Sequence, residues 1–202
     1  MILGVDFDNT IACYDGLFHA LAQERGLIPA DLSTDKTTVR DYLREAGKED
    51  DWTELQGLGY GPQIVRAKPF PGLIGALATA KEAGIETHIV SHKTKHPYRG
   101  EPHDLHAAAR AFLDQHGVSP DIVPAARVHL ELTKEAKLQR IAALRCTHFV
   151  DDLPEFLGDP GFPSGVTRWL FDPADRYAAE TRFERFTAWD QITEAVKGTL
   201  SA

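Results

Sequence analysis

The sequence contains few cysteines, which bears on both cross-linking and metal binding. Its 202 residues include only two, Cys13 and Cys146, far apart in the chain. No cysteine–histidine spacing typical of a zinc site accompanies them. We therefore expect two reduced thiols, as is usual in cytoplasmic proteins, and neither a disulfide framework nor a zinc centre.

Long hydrophobic runs are also missing. No stretch approaches the roughly 20 apolar residues that a membrane-spanning helix requires. The first apolar residues lead directly into acidic ones, without the basic and hydrophobic regions of a secretory signal. We therefore expect a protein that is neither secreted nor attached to a membrane.

Positive charge is scarce as well. The chain has 22 Lys and Arg against 30 Asp and Glu, a formal net charge of -8. Nucleic-acid backbones are bound by clustered Lys and Arg, so no nucleic-acid partner is expected. If the protein acts on a phosphorylated substrate, that substrate has to be attracted by local positive charge or through a metal.

The length and the 43% hydrophobic content suit one sizeable domain, or a domain with a modest insertion.

Short apolar runs alternate with helical patterns along most of the chain. This alternation predicts an α/β fold, a parallel sheet with helices on both faces, whose binding crevice lies beyond the carboxyl ends of the strands. The predicted strands are 2–7, 87–90, 128–132, 148–150 and 167–171.

The segment 13–67 interrupts the alternation, because it offers helical patterns and no convincing strand. We predict a small helical cap there, inserted into a core formed by residues 1–12 and 68–202.

The first polar cluster follows the first predicted strand directly, at residues 6–10 (DFDNT). In an extended chain successive side chains alternate, so Asp6 and Asp8 are expected on the same side of it. Two carboxylates so close repel each other, and a hard divalent ion such as Mg²⁺ would relieve the repulsion. One carboxylate can then attack phosphorus, while the other protonates the leaving oxygen. The alternative is that this motif only ends a strand and caps a turn.

Two further positions suit phosphate binding. Ser91 ends a predicted strand, where its hydroxyl and nearby backbone N–H groups could hold a phosphate oxygen. Lys137, or its rival Lys134, opens the helix before the next strand and could neutralise phosphate charge. Each of these residues could also be an ordinary turn or surface residue.

The last cluster is the acidic pair Asp151 and Asp152, directly after the predicted strand 148–150. Adjacent acids at the end of an apolar strand require a cation or hydrogen-bond donors. A metal site is one interpretation, and a simple cap on the following segment is the other.

In this order the clusters resemble the motifs of the haloacid dehalogenase (HAD) superfamily of phosphatases, over almost the whole chain. The family's first motif, DxDx(T/V), is matched by residues 6–10. Its second, an apolar strand ending in Ser or Thr, is matched at Ser91. The third is a lysine before the last catalytic strand and the fourth an acidic pair. Asp151 follows Lys137 by 14 positions, which suits one helix and one strand and favours Lys137 over Lys134.

The resemblance implies a Rossmann-like core, Mg²⁺ as cofactor and Asp6 as the phosphorylated nucleophile. It implies Asp8 as general acid and base, contributing to the metal through its main-chain carbonyl, beside Asp6, Asp151 and Asp152. Since dehalogenases of the family lack the second acid, Asp8 points to phosphoryl transfer. The expected function is hydrolysis of a small phosphomonoester. A phosphomutase acting on a sugar phosphate, or a catalytically silent binding protein, are the alternatives.

Two features bear on specificity. The position of the insertion resembles the family's small helical (C1-type) cap, and the final strand followed by Trp189 is loosely similar to nucleotidase-like members. The basic run after Ser91 begins with His92 and Lys93, which we expect to recognise an anionic substrate. A solvated loop is the alternative.

Overall fold

Six parallel strands form the sheet that carries the acidic residues. The computed structural model describes residues 1–200. In the order β5-β4-β1-β6-β7-β8, every neighbouring pair is parallel, which confirms the predicted Rossmann-like α/β sheet. The three residues of β8 were not predicted. The strands are β1 (Ile2–Val5), β4 (Glu86–His92), β5 (Val128–Glu131), β6 (His148–Asp151), β7 (Thr167–Phe171) and β8 (Glu184–Phe186).

The centre of the sheet depends on a glycine. Gly4 of β1 stands opposite Phe149 of β6, which is fully buried. A Cβ added at Gly4 would lie 2.4 Å from the Phe149 ring. The missing side chain therefore makes room for that ring beside β1.

Contacts between residues group the chain into two compact units. One contains the six strands and residues 1–12, 69–92 and those from 116 onward. Its helices are α4 (Leu73–Glu82), α6 (Lys134–Ala143), α7 (Pro154–Leu157) and α8 (Trp189–Leu200). Thr133 caps α6, since its side chain accepts a hydrogen bond from the Ala136 amide at 3.1 Å.

The other unit contains residues 13–68 and 93–115. Its helices are α1 (Leu17–Glu24), α2 (Lys36–Glu45), α3 (Glu49–Tyr60) and α5 (Leu105–Gln115). The predicted division placed 93–115 in the core. In the structure α5 packs against α3 and the short 3-10 turn Ile64–Arg66, so these residues group with the helical segment.

Helix α3 lies within the segment predicted to be helical, although it contains Gly57 and Gly59 and glycine disfavours helices. Their lack of a side chain permits close packing. A Cβ at Gly59 would lie 2.8 Å from the Phe18 ring, and one at Gly57 would lie 2.9 Å from Pro97.

Two short strands, β2 (Ala12–Cys13) and β3 (Lys68–Pro69), form a second sheet. No helix within residues 1–200 is long and apolar enough to cross a membrane.

Candidate active site

The ends of two neighbouring strands bring two predicted site residues together. Asp6 follows β1 directly, and Asp151 is the last residue of β6. The Asp6 amide donates to the Val150 carbonyl at 2.9 Å, which extends the pairing of the two strands up to the acids. Both carboxylates therefore lie at the same edge of the sheet.

Lys137 joins these two acids. Its Nζ donates to Asp6 Oδ1 at 2.7 Å and to Asp151 Oδ2 at 2.6 Å. All three side chains are buried, and Nζ also lies 4.0 Å from the centroid of the Phe156 ring. Lys134, the alternative lysine, instead forms a surface ion pair with Asp159 at 2.7 Å. Lys137 is therefore the lysine that reaches the acidic cluster.

Burial and the neighbouring charges shift the pKa of Lys137 in opposite directions. Burial alone would lower the pKa of Lys137, but the charges of Asp151 and Asp6 outweigh it and hold that pKa above its usual value. Burial raises the pKa of Asp151; Lys137 opposes this effect and Asp6 adds to it. Because one ammonium faces two acids, Lys137 stays protonated, and when both acids are ionised one negative charge is left uncompensated.

A third acid increases that excess. Carboxylate oxygens of Asp6, Asp151 and Asp152 all lie within 4.8 Å of one another. With Lys137 we call these residues the carboxylate centre, and its ionised form carries three negative charges and one positive charge. Hard oxygen ligands and a net charge of minus two fit a divalent ion such as Mg²⁺. Asp8 does not contribute a carboxylate to this group.

Asp8 lies in a tight turn immediately after Asp6. The amides of Ile11 and Ala12 both donate to the Phe7 carbonyl, at 3.0 and 2.9 Å. Asn9 adopts a positive φ of 58°, a conformation that Asn tolerates better than most residues. These hydrogen bonds fix the backbone of the turn, which holds the half-buried Asp8 close to Asp6.

The same turn is anchored by a residue from the far end of the chain. Trp189, the first residue of α8, donates its indole Nε1–H to the buried Thr10 carbonyl at 3.1 Å. Sequence reasoning assigned no role to Trp189 in the site. The sequence offered only a general indication, since a buried tryptophan usually requires an acceptor for its N–H group but the sequence does not say which.

The predicted phosphate ligands on β4 differ in exposure. Ser91 is buried at 1% exposure, whereas the next residue, His92, is exposed. The strand that carries both of them lies beside β1 in the sheet. A role of Ser91 and His92 in phosphate binding remains a prediction.

Comparisons with known proteins show which fold this is. No protein-family model matches the sequence, and no curated protein matches it. The fold is similar to a HAD family hydrolase from Deinococcus radiodurans with bound phosphate and sodium, with a TM-score of 0.62 and 13% identity over 98% of this chain and 96% of that one. It is also similar to a HAD hydrolase from Entamoeba histolytica, with a TM-score of 0.64 and 11% identity over 100% and 99% of the two chains.

A dehalogenase has the same fold, with a TM-score of 0.57 and 12% identity over 96% of each chain. The predicted HAD-like fold is thus confirmed. At these identities the likeness concerns the fold, so the chemistry has to be inferred from the residues of the site.

Proposed function

We propose that this protein is a Mg²⁺-dependent phosphohydrolase, which acts on a small phosphomonoester through phosphorylated Asp6. The observation that carries the proposal is the carboxylate centre, where buried Lys137 orients the Asp6 carboxylate beside two further acids. An excess of negative charge alone would repel a phosphate group, so a cation must accompany the substrate. Asp6, Asp151 and Asp152 would hold that cation, and the resemblance to the HAD superfamily adds the Asp8 main-chain carbonyl.

The proposed first step transfers the phosphoryl group to Asp6. A carboxylate oxygen of Asp6 forms a bond to phosphorus as the bond from phosphorus to the leaving oxygen breaks. Asp8 gives its proton to that oxygen, so the alcohol leaves as a neutral molecule.

The second step restores the enzyme. Asp8, now ionised, takes a proton from water, and the water oxygen attacks phosphorus. The bond between phosphorus and Asp6 breaks, which releases inorganic phosphate and the free Asp6 carboxylate. When bound, Mg²⁺ would screen the charge repulsion between the nucleophile and the phosphate group.

Asp8 separates this proposal from the dehalogenase reaction of similarly folded proteins. A halide leaves without a proton, whereas an alkoxide requires an acid. The turn of residues 7–12 supplies such an acid two positions after the nucleophile. A phosphomutase would use the same two acids, so the test must include a sugar phosphate with and without a bisphosphorylated sugar.

The test is phosphate release from nucleotides, sugar phosphates and small phosphorylated acids, in Mg²⁺ and in EDTA. We expect release from one group of compounds in Mg²⁺ only. Asp6→Asn should reduce it by about a thousandfold or more, because the amide is a poor nucleophile.

The matched control is Asp159→Asn, which changes an aspartate that also pairs with a lysine, but at the surface. This variant should keep its activity. Equal activity in Asp6→Asn and the wild type would disprove the proposed nucleophile, and turnover only with a bisphosphorylated sugar would indicate the mutase.

A further inference from the structure

The turn after β7 is built around a buried aspartate. Asp172 is 3% exposed; its Oδ1 accepts a hydrogen bond from the Arg176 amide at 2.9 Å, and its Oδ2 accepts one from the Tyr177 amide at 2.9 Å. Arg185 of β8 donates to the same Oδ2 at 3.1 Å. We call residues 172–177 the anchored turn. These bonds fix the backbone from which the side chains of Arg176 and Tyr177 extend.

The anchored turn begins at the edge of the sheet that carries the carboxylate centre. β6 and β7 are parallel neighbours, and Asp151 stands opposite Leu170. Asp152 is the next residue after Asp151, and Asp172 follows Leu170 by two positions. Because neighbouring parallel strands end at the same edge of a sheet, the chain enters the anchored turn close to Asp152.

Tyr177 indicates which charges surround this turn. It is half-buried and packs against an apolar cluster that includes Phe156. Burial raises the pKa of Tyr177 above its ordinary value, and the negative charges of Glu155 and Asp152 raise it further. The positive charge of Arg176 opposes them. Charges act over about 10 Å at ordinary ionic strength, so Asp152 and Arg176 both lie near the same hydroxyl.

Asp152 is the acid of the carboxylate centre to which the hydrogen bonds of Lys137 do not extend. The lysine donates to Asp6 and to Asp151, whereas Asp152 lies half-buried beside them in a group with an excess of negative charge. A guanidinium is planar and donates two parallel hydrogen bonds to one carboxylate, so it fixes the direction of that carboxylate. The anchored turn holds the backbone of such a residue, Arg176, at this edge of the sheet.

We propose that Arg176 is a positioning residue, whose guanidinium holds the Asp152 carboxylate in the direction in which it binds the divalent ion of the carboxylate centre. The inference rests on the metal site of the proposed function and adds to it a residue outside the motifs found in the sequence. Arg176 acts through Asp152 and binds neither the substrate nor the ion. The loss of such a partner behind a metal ligand typically lowers metal affinity by roughly 10–100-fold.

Positioning and simple charge predict opposite results for this arginine. Arg176 carries a positive charge, so as a charge alone it would repel Mg²⁺, and its removal would strengthen binding of the ion. As a positioning residue it prepares Asp152 for the ion, and its removal would weaken binding. Arg176→Lys separates the two effects again, because lysine retains the charge and lacks the planar pair of donors.

Calorimetric titration of Mg²⁺ into the whole protein, without substrate, measures the Kd of the ion. Arg176→Met should raise this Kd by about tenfold or more, and Arg176→Lys should also raise it, by a smaller factor. The control is Arg182→Met, which removes an exposed arginine of the same segment that pairs with Glu180 and should leave the Kd unchanged. Because Arg176 is exposed, Tm in EDTA should be similar in the wild type and all three variants, which shows that the effect concerns the ion rather than the fold.

Ion binding is measured without turnover, so this inference and the proposed function can fail separately. Weaker Mg²⁺ binding in both Arg176 variants would support the inference, even if the wild type released no phosphate and the hydrolase were disproved. Equal or tighter binding in Arg176→Met, or binding in Arg176→Lys equal to that of the wild type, would overturn the inference whether or not the wild type released phosphate. A wild type that binds no Mg²⁺ would overturn both.

Discussion

The carboxylate centre and a cluster of two lysines and three aromatic rings hold charge of opposite sign in two different ways. We call the second group the lysine–aromatic cluster; it consists of Tyr14, Phe18, Lys36, Tyr60 and Lys93. In the carboxylate centre, Lys137 is hydrogen-bonded directly to two acids at strand ends. In the cluster, Lys36 and Lys93 lie over rings that carry no net charge. Removal of Lys137 leaves two buried carboxylates without their shared cation, whereas the rings beneath Lys36 and Lys93 carry no net charge of their own. Substitution of the lysine should therefore cost more stability in the first region than in the second.

The largest effect is expected for Lys137→Met. The substitution leaves the buried carboxylates of Asp6 and Asp151 without their shared cation, and the loss of one partner from a buried ion pair costs about 3 kcal/mol or more. Urea unfolding in EDTA measures the change in the free energy of unfolding. The same variant should also lose phosphate release in Mg²⁺, because Asp6 is no longer oriented.

The control for this prediction is Lys134→Met. Lys134 lies one helical turn away, and its ion pair with Asp159 is at the surface. Water and salt screen such a pair, so the free energy of unfolding should change little. If Lys134→Met lost as much stability as Lys137→Met, the prediction that the buried ion pair of α6 contributes more than the surface pair would be wrong.

Addition of Mg²⁺ should produce the next largest effect. The ion would relieve the repulsion within the carboxylate centre, and a ligand at a hundred times its Kd adds about 2.7 kcal/mol of stability. For a chain of this size we expect Tm to rise by about 5–10 °C, as measured by differential scanning fluorimetry. An equal ionic strength of NaCl serves as the reference.

Two variants separate the regions in this experiment. Asp152→Asn should reduce the shift in Tm, because it removes one of the three clustered carboxylates. Lys36→Met should retain the shift, since Lys36 is not part of the carboxylate centre. A wild type whose Tm does not respond to saturating Mg²⁺ would contradict a preformed metal site.

The carboxylate centre could be predicted from the sequence because strand geometry determines it. Asp6 and Asp151 each follow an apolar run directly, and the carboxyl ends of neighbouring parallel strands meet at one edge of a sheet. The length of one helix and one strand then selects Lys137. These rules connect position in the chain with position in space.

The lysine–aromatic cluster follows no such rule. Its members come from the residues before α1, from α1 and α2, from the end of α3 and from the segment after β4, and their contacts depend on how the helices of this unit pack. Apolar periodicity shows that Phe18 is buried, but not that Lys36 lies above it. For the same reason the sequence did not predict that α5 groups with α3.

The smallest effect is expected for the hydrogen bond between Trp189 and Thr10, which anchors the turn of residues 7–12. Trp189→Phe removes the indole N–H that the Thr10 carbonyl accepts and leaves that carbonyl buried without this partner. Trp169→Phe is the matched control, because Trp169 is also buried but its Nε1 has no hydrogen-bond partner among the described residues. Both variants lose similar ring area, so the difference in stability between them reports one hydrogen bond, about 1 kcal/mol, or about 2–4 °C in Tm.

Phosphate release should also fall in Trp189→Phe alone, since the turn of residues 7–12 carries Asp8. Equal behaviour of the two variants would mean that the hydrogen bonds within residues 7–12 hold the turn without α8.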